Sequence, residues 1–447
     1  MVTRPNISLI VFLSLLAMLI SGCAITAVSG PAQPTAQEVF SPPTTTEPVQ
    51  PPRPTEIVEP TPAEPAPAGV LRVVYIKDGD LWIWTEGAGL KTLPTSGQIL
   101  EAFLSDDGSL IAFTRRVDDF HSEIWAINSD GTRERLLVSV SDVESMVINR
   151  SPDASGVAPH QLAWVPGTHE LVFNTSQSFM VGSLLNEDLR RVNADSGKLF
   201  TLLPTGQAGM FSFSPNGGRI AISTPNSLFL VDADGSNRSG DLLNFEEVLT
   251  SSEYRFYPQP FWTGDSSNLL VSIPPRDPLA ARDQLTQIWR VPADGSAAKQ
   301  LGGVPATFFG GGVYFSPDRS KLIYQREVGQ PQDNLRELHL ASADLSQDRV
   351  LFSTSLLQFH GWAGDSQHYF FSSGNDMQTQ FGNLDGNVRP LMSEPGAVIN
   401  IQAVGTDRFL YMRDLQGSWE FGLADLQGQK QIIDQINGFP ISFDFDM

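Results

Sequence analysis

From Val70 to the carboxyl end, apolar residues come in short runs that alternate with polar ones and are broken by turn-forming residues. One recurring piece is an apolar strand, a Ser/Pro/Asp/Gly turn and a second apolar strand. It reads Phe103-Leu-Ser-Asp-Asp-Gly-Ser-Leu-Ile-Ala-Phe113, then Phe211-Ser-Phe-Ser-Pro-Asn-Gly-Gly-Arg-Ile-Ala-Ile222, then Val313-Tyr-Phe-Ser-Pro-Asp-Arg-Ser-Lys-Leu-Ile-Tyr324. Looser copies run Leu162–Phe173, Pro260–Val271, Phe359–Phe371 and Ile401–Tyr411. The residue before each turn is Leu104, Trp164, Phe213, Trp262, Phe315, Trp362 or Ala403, and all but the last are large and apolar, as packing between neighbouring sheets requires. A second piece follows each time, an alternating strand that ends in a turn: Ile124-Trp-Ala-Ile-Asn-Ser-Asp-Gly131, Leu228-Phe-Leu-Val-Asp-Ala-Asp-Gly235 and Ile288-Trp-Arg-Val-Pro-Ala-Asp-Gly295. Weaker copies carry Asp195, Asp344, Asp385 and Asp425. Period-two alternation marks half-buried strands, and Asp-Gly suits a tight hairpin because both residues tolerate positive φ.

Together the pieces give four strands per unit, a to d, joined as a meander. That is the blade of a β-propeller, repeated at an interval typical of circular repeat architectures. The chain is therefore expected to be all-β, a single propeller over residues 69–447. Seven units carry both pieces. Before them, Leu71–Tyr75 and Leu81–Trp84 supply strands b and c of a blade without a strand a. After them, Phe439–Asp446 is an apolar alternation with no partner of its own. The tail thus supplies the missing inner strand, giving eight four-stranded blades closed by pairing of the N- and C-terminal segments. Closure removes the exposed edges of an open array. Seven blades is the alternative, should the unit at 357–395 or 398–434 be degenerate. The repeat resembles that of TolB-type propellers, also found in the non-catalytic propeller of prolyl-oligopeptidase-like peptidases. It departs from TolB, which has six blades and an amino-terminal α/β domain. The resemblance implies a cell-envelope setting and a protein partner there.

The amino-terminal segment is different in kind. Arg4 precedes an uncharged run from Ile7 to Ile20, and the run ends in Leu19-Ile-Ser-Gly-Cys23, which holds the only cysteine. The uncharged run is shorter than the roughly 18–20 residues a spanning helix needs. These features resemble the lipobox of bacterial lipoproteins, which implies a signal peptide over 1–22 and a lipid on Cys23. Residues 23–68 read as a linker, with twelve prolines between 31 and 68 and no repeating apolar face. At about 3.1 Å per residue, such a polyproline-like tether reaches up to about 100 Å.

Composition narrows the function. Fifty acidic against 29 basic residues give a formal charge of -21, and only six of the basic residues are lysine. That balance argues against binding to a phosphate backbone, which needs clustered Lys and Arg, so no nucleic-acid partner is expected. Gly-x-Ser-x-Gly, His-Glu-x-x-His, phosphate-loop and dinucleotide motifs are all missing from the sequence. No enzyme activity, cofactor or metal is expected on that ground, and Asp232-Ala-Asp234-Gly lacks the other acidic ligands of a calcium loop. A pair of carboxylates brought from distant blades stays open, since spacing does not test it.

In a four-stranded meander the a–b and c–d turns lie on one face, and the b–c and d–a connections on the other. The first set reads as short and uniform. The long connections, Arg115–Glu123, Val140–His160, Pro274–Gln284 and Glu327–Leu335, all belong to the second. Insertions gathered on one face of a repeat scaffold mark its binding side. The candidate ligand-binding residues are accordingly Arg115, Arg116, Asp118, His121, Arg276, Asp277, Arg282 and Arg326. The expected protein is a monomeric binding scaffold without catalysis. It is held by its lipid to a bacterial cell or outer membrane on the extracytoplasmic side and engages another envelope protein. The alternative is a propeller that binds or cleaves carbohydrate at its channel mouth, with Phe120, Tyr254, Phe256 and Tyr257 as stacking candidates. The last three also read as strand core.

Overall fold

A computed structural model describes residues 69–447, apart from 251–254, 279–283, 307–311, 330–334, 375–376, 395 and 439–440. Cys23, the signal segment 1–22 and the linker 23–68 lie outside the described residues. Eight antiparallel sheets follow one another along the chain. Blades 2 to 8 begin with the inner strands Ile99–Leu104, Gly156–Trp164, Met210–Phe213, Phe261–Trp262, Val313–Phe315, Gln358–Trp362 and Val398–Val404, and each then meanders outward. Blade 1 has Arg72–Lys77, Asp80–Thr85 and Gly89–Thr92, and its inner strand is the carboxyl-terminal Phe443–Asp446. The register sets Val73 against Phe445 and Tyr75 against Phe443. Eight blades is thus the count, and both doubtful units are complete sheets. One blade departs from four strands: blade 3 carries a fifth, Ser183–Leu185, paired with the far end of Glu170–Ser178.

The period-two pattern explains why the sheets close into a ring. Each sheet is apolar on both faces, so each must be covered twice. In blade 4, Ile220 and Ile222 pack against blade 3 while Ala221 between them packs against blade 5. Eight hydrophobic clusters result, one at each junction between consecutive blades. The last joins blade 8 to blade 1 through Leu410, Met412 and Phe421 on one side and Leu71, Val73, Tyr75 and Phe443 on the other. Polar contacts fasten the same junction. The Tyr75 hydroxyl donates to Asp434 at 2.7 Å, Lys77 pairs with Asp434 at 2.9 Å and Arg408 with Glu86 at 2.8 Å. The other side of the closing strand is held by the Leu104 amide, which donates to Asp444 at 2.8 Å.

The large residue before each a–b turn has a second use. Trp164, Trp262 and Trp362 each donate an indole N–H to the preceding blade, to the carbonyls of Phe103, Ser212 and Tyr314 at 3.1, 3.3 and 2.9 Å. The three acceptors are equivalent positions, and the tryptophans occupy every second blade. The turn aspartates serve locally. Asp265 accepts from Thr263 and Ser267, and Asp344 from Ser342 and Ser346. Asp234, the residue that suggested a calcium loop, accepts from the amide and hydroxyl of Ser236 at 2.9 and 2.6 Å.

Hydrogen bonds from Thr263 and Ser267 hold the Asp265 carboxyl down to about 2, and those from Ser342 and Ser346 do the same for Asp344. A carboxyl whose pKa falls on folding stabilises the native state above its unfolded value and ceases to do so as pH drops through the folded one. The unfolding midpoint should therefore hold down to about pH 4 and fall between about pH 4 and 2. Asp265→Asn with Asp344→Asn should flatten that fall. A thermal-melt series across pH checks both, and a midpoint unchanged down to pH 2 would contradict the assignment.

Candidate functional site

The antiparallel alternation of strands places every b–c and d–a connection on one side of the ring, the loop face, and every a–b and c–d turn on the other, the turn face. The longest connections, 139–155, 245–260 and 274–285, are on the loop face, where others are as short as 224–226 and 415–417. The Arg115–Glu123 segment expected to be long is a loop of residues 117–121 alone, and on the turn face the c–d connection of blade 4 covers residues 233–242. Exposed apolar side chains follow the same division. Of fifteen large ones among the described residues, ten lie on the loop face: Leu100, Val117, Ile148, Met180, Val181, Leu249, Leu285, Leu335, Leu356 and Leu415. Four others sit on outermost strands, and the last is the terminal Met447. Gly69, where the described chain begins, and Met447 are both at the turn face.

The loop face is built highest over blades 2 and 3. The long segment expected at Val140–His160 is only in part a loop. Ser139 caps a helix, Val140–Met146, through a capping box with Asp142, and Val143 and Met146 fill the cluster between blades 2 and 3. From Gly156 the chain is already the inner strand of blade 3. That strand and its partner run on past the blade as a ladder to Gly156 opposite Ser178, and Ser183–Leu185 folds back onto it. A buried polar network fixes the hairpin. The Asp188 carboxylate, wholly buried, accepts from the Thr175 amide at 2.8 Å, the Thr175 hydroxyl at 3.0 Å and Arg190 at 3.1 Å. Asn186 donates to Thr175 and accepts from Gln177. Burial on this scale demands that each polar group be satisfied, and the network does so.

Two predicted residues meet here. The His121 ring lies between carboxylates, with Nδ1 2.8 Å from Asp118 and Nε2 3.0 Å from Glu144. Glu144 continues to Arg150 at 2.6 Å, and Arg150 donates to the Ala154 carbonyl at 3.1 Å. The Asp118 carboxyl is held below its ordinary range, first by the Phe120 amide and then by His121. This chain clasps the Val117–His121 loop to the helix and the segment after it. Phe120 is half-buried, with its backbone carbonyl and Cβ set close beside Gly156.

The other predicted residues are dispersed. Arg115 turns back onto its own sheet, where its guanidinium lies 4.1 Å from the Trp125 ring centre and pairs with Glu134, so it packs blade 2 and is not presented on the loop face. Arg116 is exposed at the strand end. Arg276 and Asp277 follow strand b of blade 5, with the Arg276 carbonyl taken by the Leu249 amide, and Arg326 is exposed on blade 6, opposite blade 2 in the ring. Arg282 and Tyr254 lie outside the described residues. The bonds of the His121 ring run to Asp118 and Glu144, on the connections of blades 2 and 3.

Two features were missed at the level of sequence. A cleft of about 530 Å³ opens on the loop face between blades 3 and 4, lined by Glu187, Glu247, Arg238, Arg255, Gln207 and Asn226 among others. Glu187 accepts from Tyr257 at 3.0 Å and lies 3.4 Å from Arg255. Burial, with the adjacent Glu187 carboxylate, pushes the Tyr257 phenol well above its ordinary value. Tyr257 belongs to a connection, not to strand core. The second feature is a tier of β-bulges on the inner strands of blades 2, 3, 7 and 8, at 99–101, 159–162, 359–361 and 399–402. Bulges re-aim side chains. Two of the bulged residues are histidines on opposite blades, the exposed His160 and the half-buried His360, and desolvation lowers His360 to about 4.

Arg115→Ala should lower unfolding stability by about 1–3 kcal/mol through lost packing on Trp125, whereas Arg116→Ala should stay within about 0.5 kcal/mol of the parent. Urea titration distinguishes them, and equal effects would put Arg115 back on the surface.

The fold is shared with many solved structures. A prolyl endopeptidase matches with a TM-score of 0.50 and 12% identity over 77% of this chain and 50% of that one. A eukaryotic initiation factor matches with a TM-score of 0.50 and 10% identity over 83% of this chain and 85% of that one. TolB from Acinetobacter baumannii matches with a TM-score of 0.33 and 13% identity over 62% of this chain and 68% of that one. The chain thus spans about half the length of the prolyl endopeptidase. No family model matches it, and no curated protein does. Likeness at these identities is likeness of fold.

Proposed function

We propose that the chain is a lipid-anchored binding scaffold of the bacterial envelope whose loop face engages a protein partner, without catalysis of its own. One observation carries this reading: the long connections and most of the exposed apolar side chains gather on the loop face, while both ends of the described chain leave from the turn face. Exposed apolar side chains concentrated at one end of the ring are available to a partner there. The lipid on Cys23 and the extracytoplasmic location rest on the lipobox-like sequence. Arg116, Asp118, His121, Arg276, Asp277, Arg282 and Arg326 remain assigned as polar contacts around that surface.

The cleft favours a second reading, a saccharide ligand. Two carboxylates, two guanidiniums and two side-chain amides line it, and such planar groups bond adjacent hydroxyls well.

The test is site-specific photo-crosslinking in membranes. Shortening Val140–Pro159 would cut into the inner strand of blade 3, so single positions serve instead. A crosslinker at Leu249 or Leu285 should capture a defined protein, and one at Asp130 or Gln427 on the turn face should not. The Cys23→Ala variant should lose both the adduct and membrane retention. Equal capture from the two faces would contradict the proposal, and no protein adduct together with glycan binding would move the function to the cleft.

A further inference from the structure

The hairpin and loops over blades 2 and 3 carry the most exposed large apolar side chains among the described residues. Met180 and Val181 form the hairpin tip, at 84% and 68% exposure, and Ile148 in the neighbouring connection is at 78%. Side chains this open contribute nothing to the core. The backbone beneath them is nevertheless tightly held, by the buried Asp188 network, the clasp through His121 and Glu144, and bonds from the Ser155 and Ser151 amides to Ser178 and Gln177. A rigid mount under displayed apolar groups is the arrangement of a binding surface, since little ordering remains to be done on contact.

Two further observations specify the occupant. Ser183–Leu185 pairs on one side only, with Glu170–Ser178, so among the described residues its outer edge presents unpaired backbone groups. Such an edge accepts a strand from another chain. The surrounding charge is acidic. Segments 117–121, 139–156 and 178–185 hold Asp118, Asp119, Asp142, Glu144 and Asp153 against Arg150 alone. Within a molecule of charge -21, this rim repels a second copy of itself and an anionic lipid surface, and it favours lysine and arginine.

We propose that this hairpin is a docking site for an extended segment of a partner protein, in which apolar side chains alternate with or are flanked by lysine or arginine. The segment adds as a strand beside Ser183–Leu185, sets its apolar residues against Met180 and Val181, and places its basic residues near Asp119 and Asp153. The proposal rests on the loop-face reading above and sharpens it to one position and one chemistry.

The probe is a displayed random-peptide library panned on the purified full-length chain. Selected peptides should share apolar residues and a net positive charge. Met180→Asp with Val181→Asp should weaken their binding by at least about tenfold. That variant should melt as the parent does, because both side chains are exposed, and Leu249→Asp should bind the peptides normally. Raising NaCl should weaken binding, and N-methylation of alternate backbone amides in the peptide should abolish it. Neutral or acidic consensus peptides, binding that survives the paired substitution or the methylation, or no selected peptide at all would overturn the proposal. So would a dimer of this chain or binding to anionic vesicles that the paired substitution removes. If the crosslinker at Leu249 or Leu285 still captures its protein in those cases, the loop-face scaffold stands and only this site falls.

Discussion

The four-residue pairing of Phe443–Asp446 with Arg72–Lys77 is the constraint on which the rest of the ring depends. Each blade is apolar on both faces, so no blade is stable at an end of the array. Blades 8 and 1 are ends in sequence and neighbours in space, and only the closing strand makes them so. It supplies Phe443 to the cluster shared by the two blades and Asp444 to the backbone of blade 2. The contacts of Asp434 with Tyr75 and Lys77 then bind side chains more than three hundred residues apart in the chain. These contacts pay their loop-closure entropy once, for the whole circle.

Closure also decides which surface is available. In a sealed ring the blade faces are used up by their neighbours and the outer strands present short edges, which leaves the two ends of the ring. The turn end is made of Ser, Asp and Gly turns whose carboxylates are occupied by local hydroxyls, as at Asp265 and Asp344. The loop end has no such uniformity. It carries a helix, an extra strand, a polar cleft and the apolar tips, and it stands away from the point where the amino-terminal segment joins. The rigidity of the blades is transmitted to it by strands that run on past the sheet, most plainly in blade 3.

The fold was largely legible because strand alternation, Asp-Gly turns and the large residue before each a–b turn are local signals repeated many times. The carboxyl-terminal strand was legible for a different reason: Leu71–Tyr75 lacked an inner neighbour and Phe439–Asp446 lacked any. The side of the ring with long connections could be read from segment lengths. Its detail could not. Arg115 reads as a loop charge by position, but its burial against Trp125 depends on a side-chain direction that sequence spacing does not fix. Ser183–Leu185 is too short for alternation to show, and the Asp188 network joins residues whose proximity exists only once the hairpin folds. The helix at Val140–Met146 did carry a signal, Ser139 three residues before Asp142, masked by the polar residues around it. Asp118 and His121 are close in sequence, whereas their link to Glu144 needed the packing of two connections.

Removing Gly438–Met447 and following backbone amide hydrogen exchange tests the closed ring most directly. The account predicts that Arg72–Lys77 and Ile99–Leu104 lose protection, that the unfolding midpoint falls, and that a synthetic peptide of residues 438–447 added in trans restores both. Unchanged protection in those two strands, with an unchanged midpoint, would contradict it.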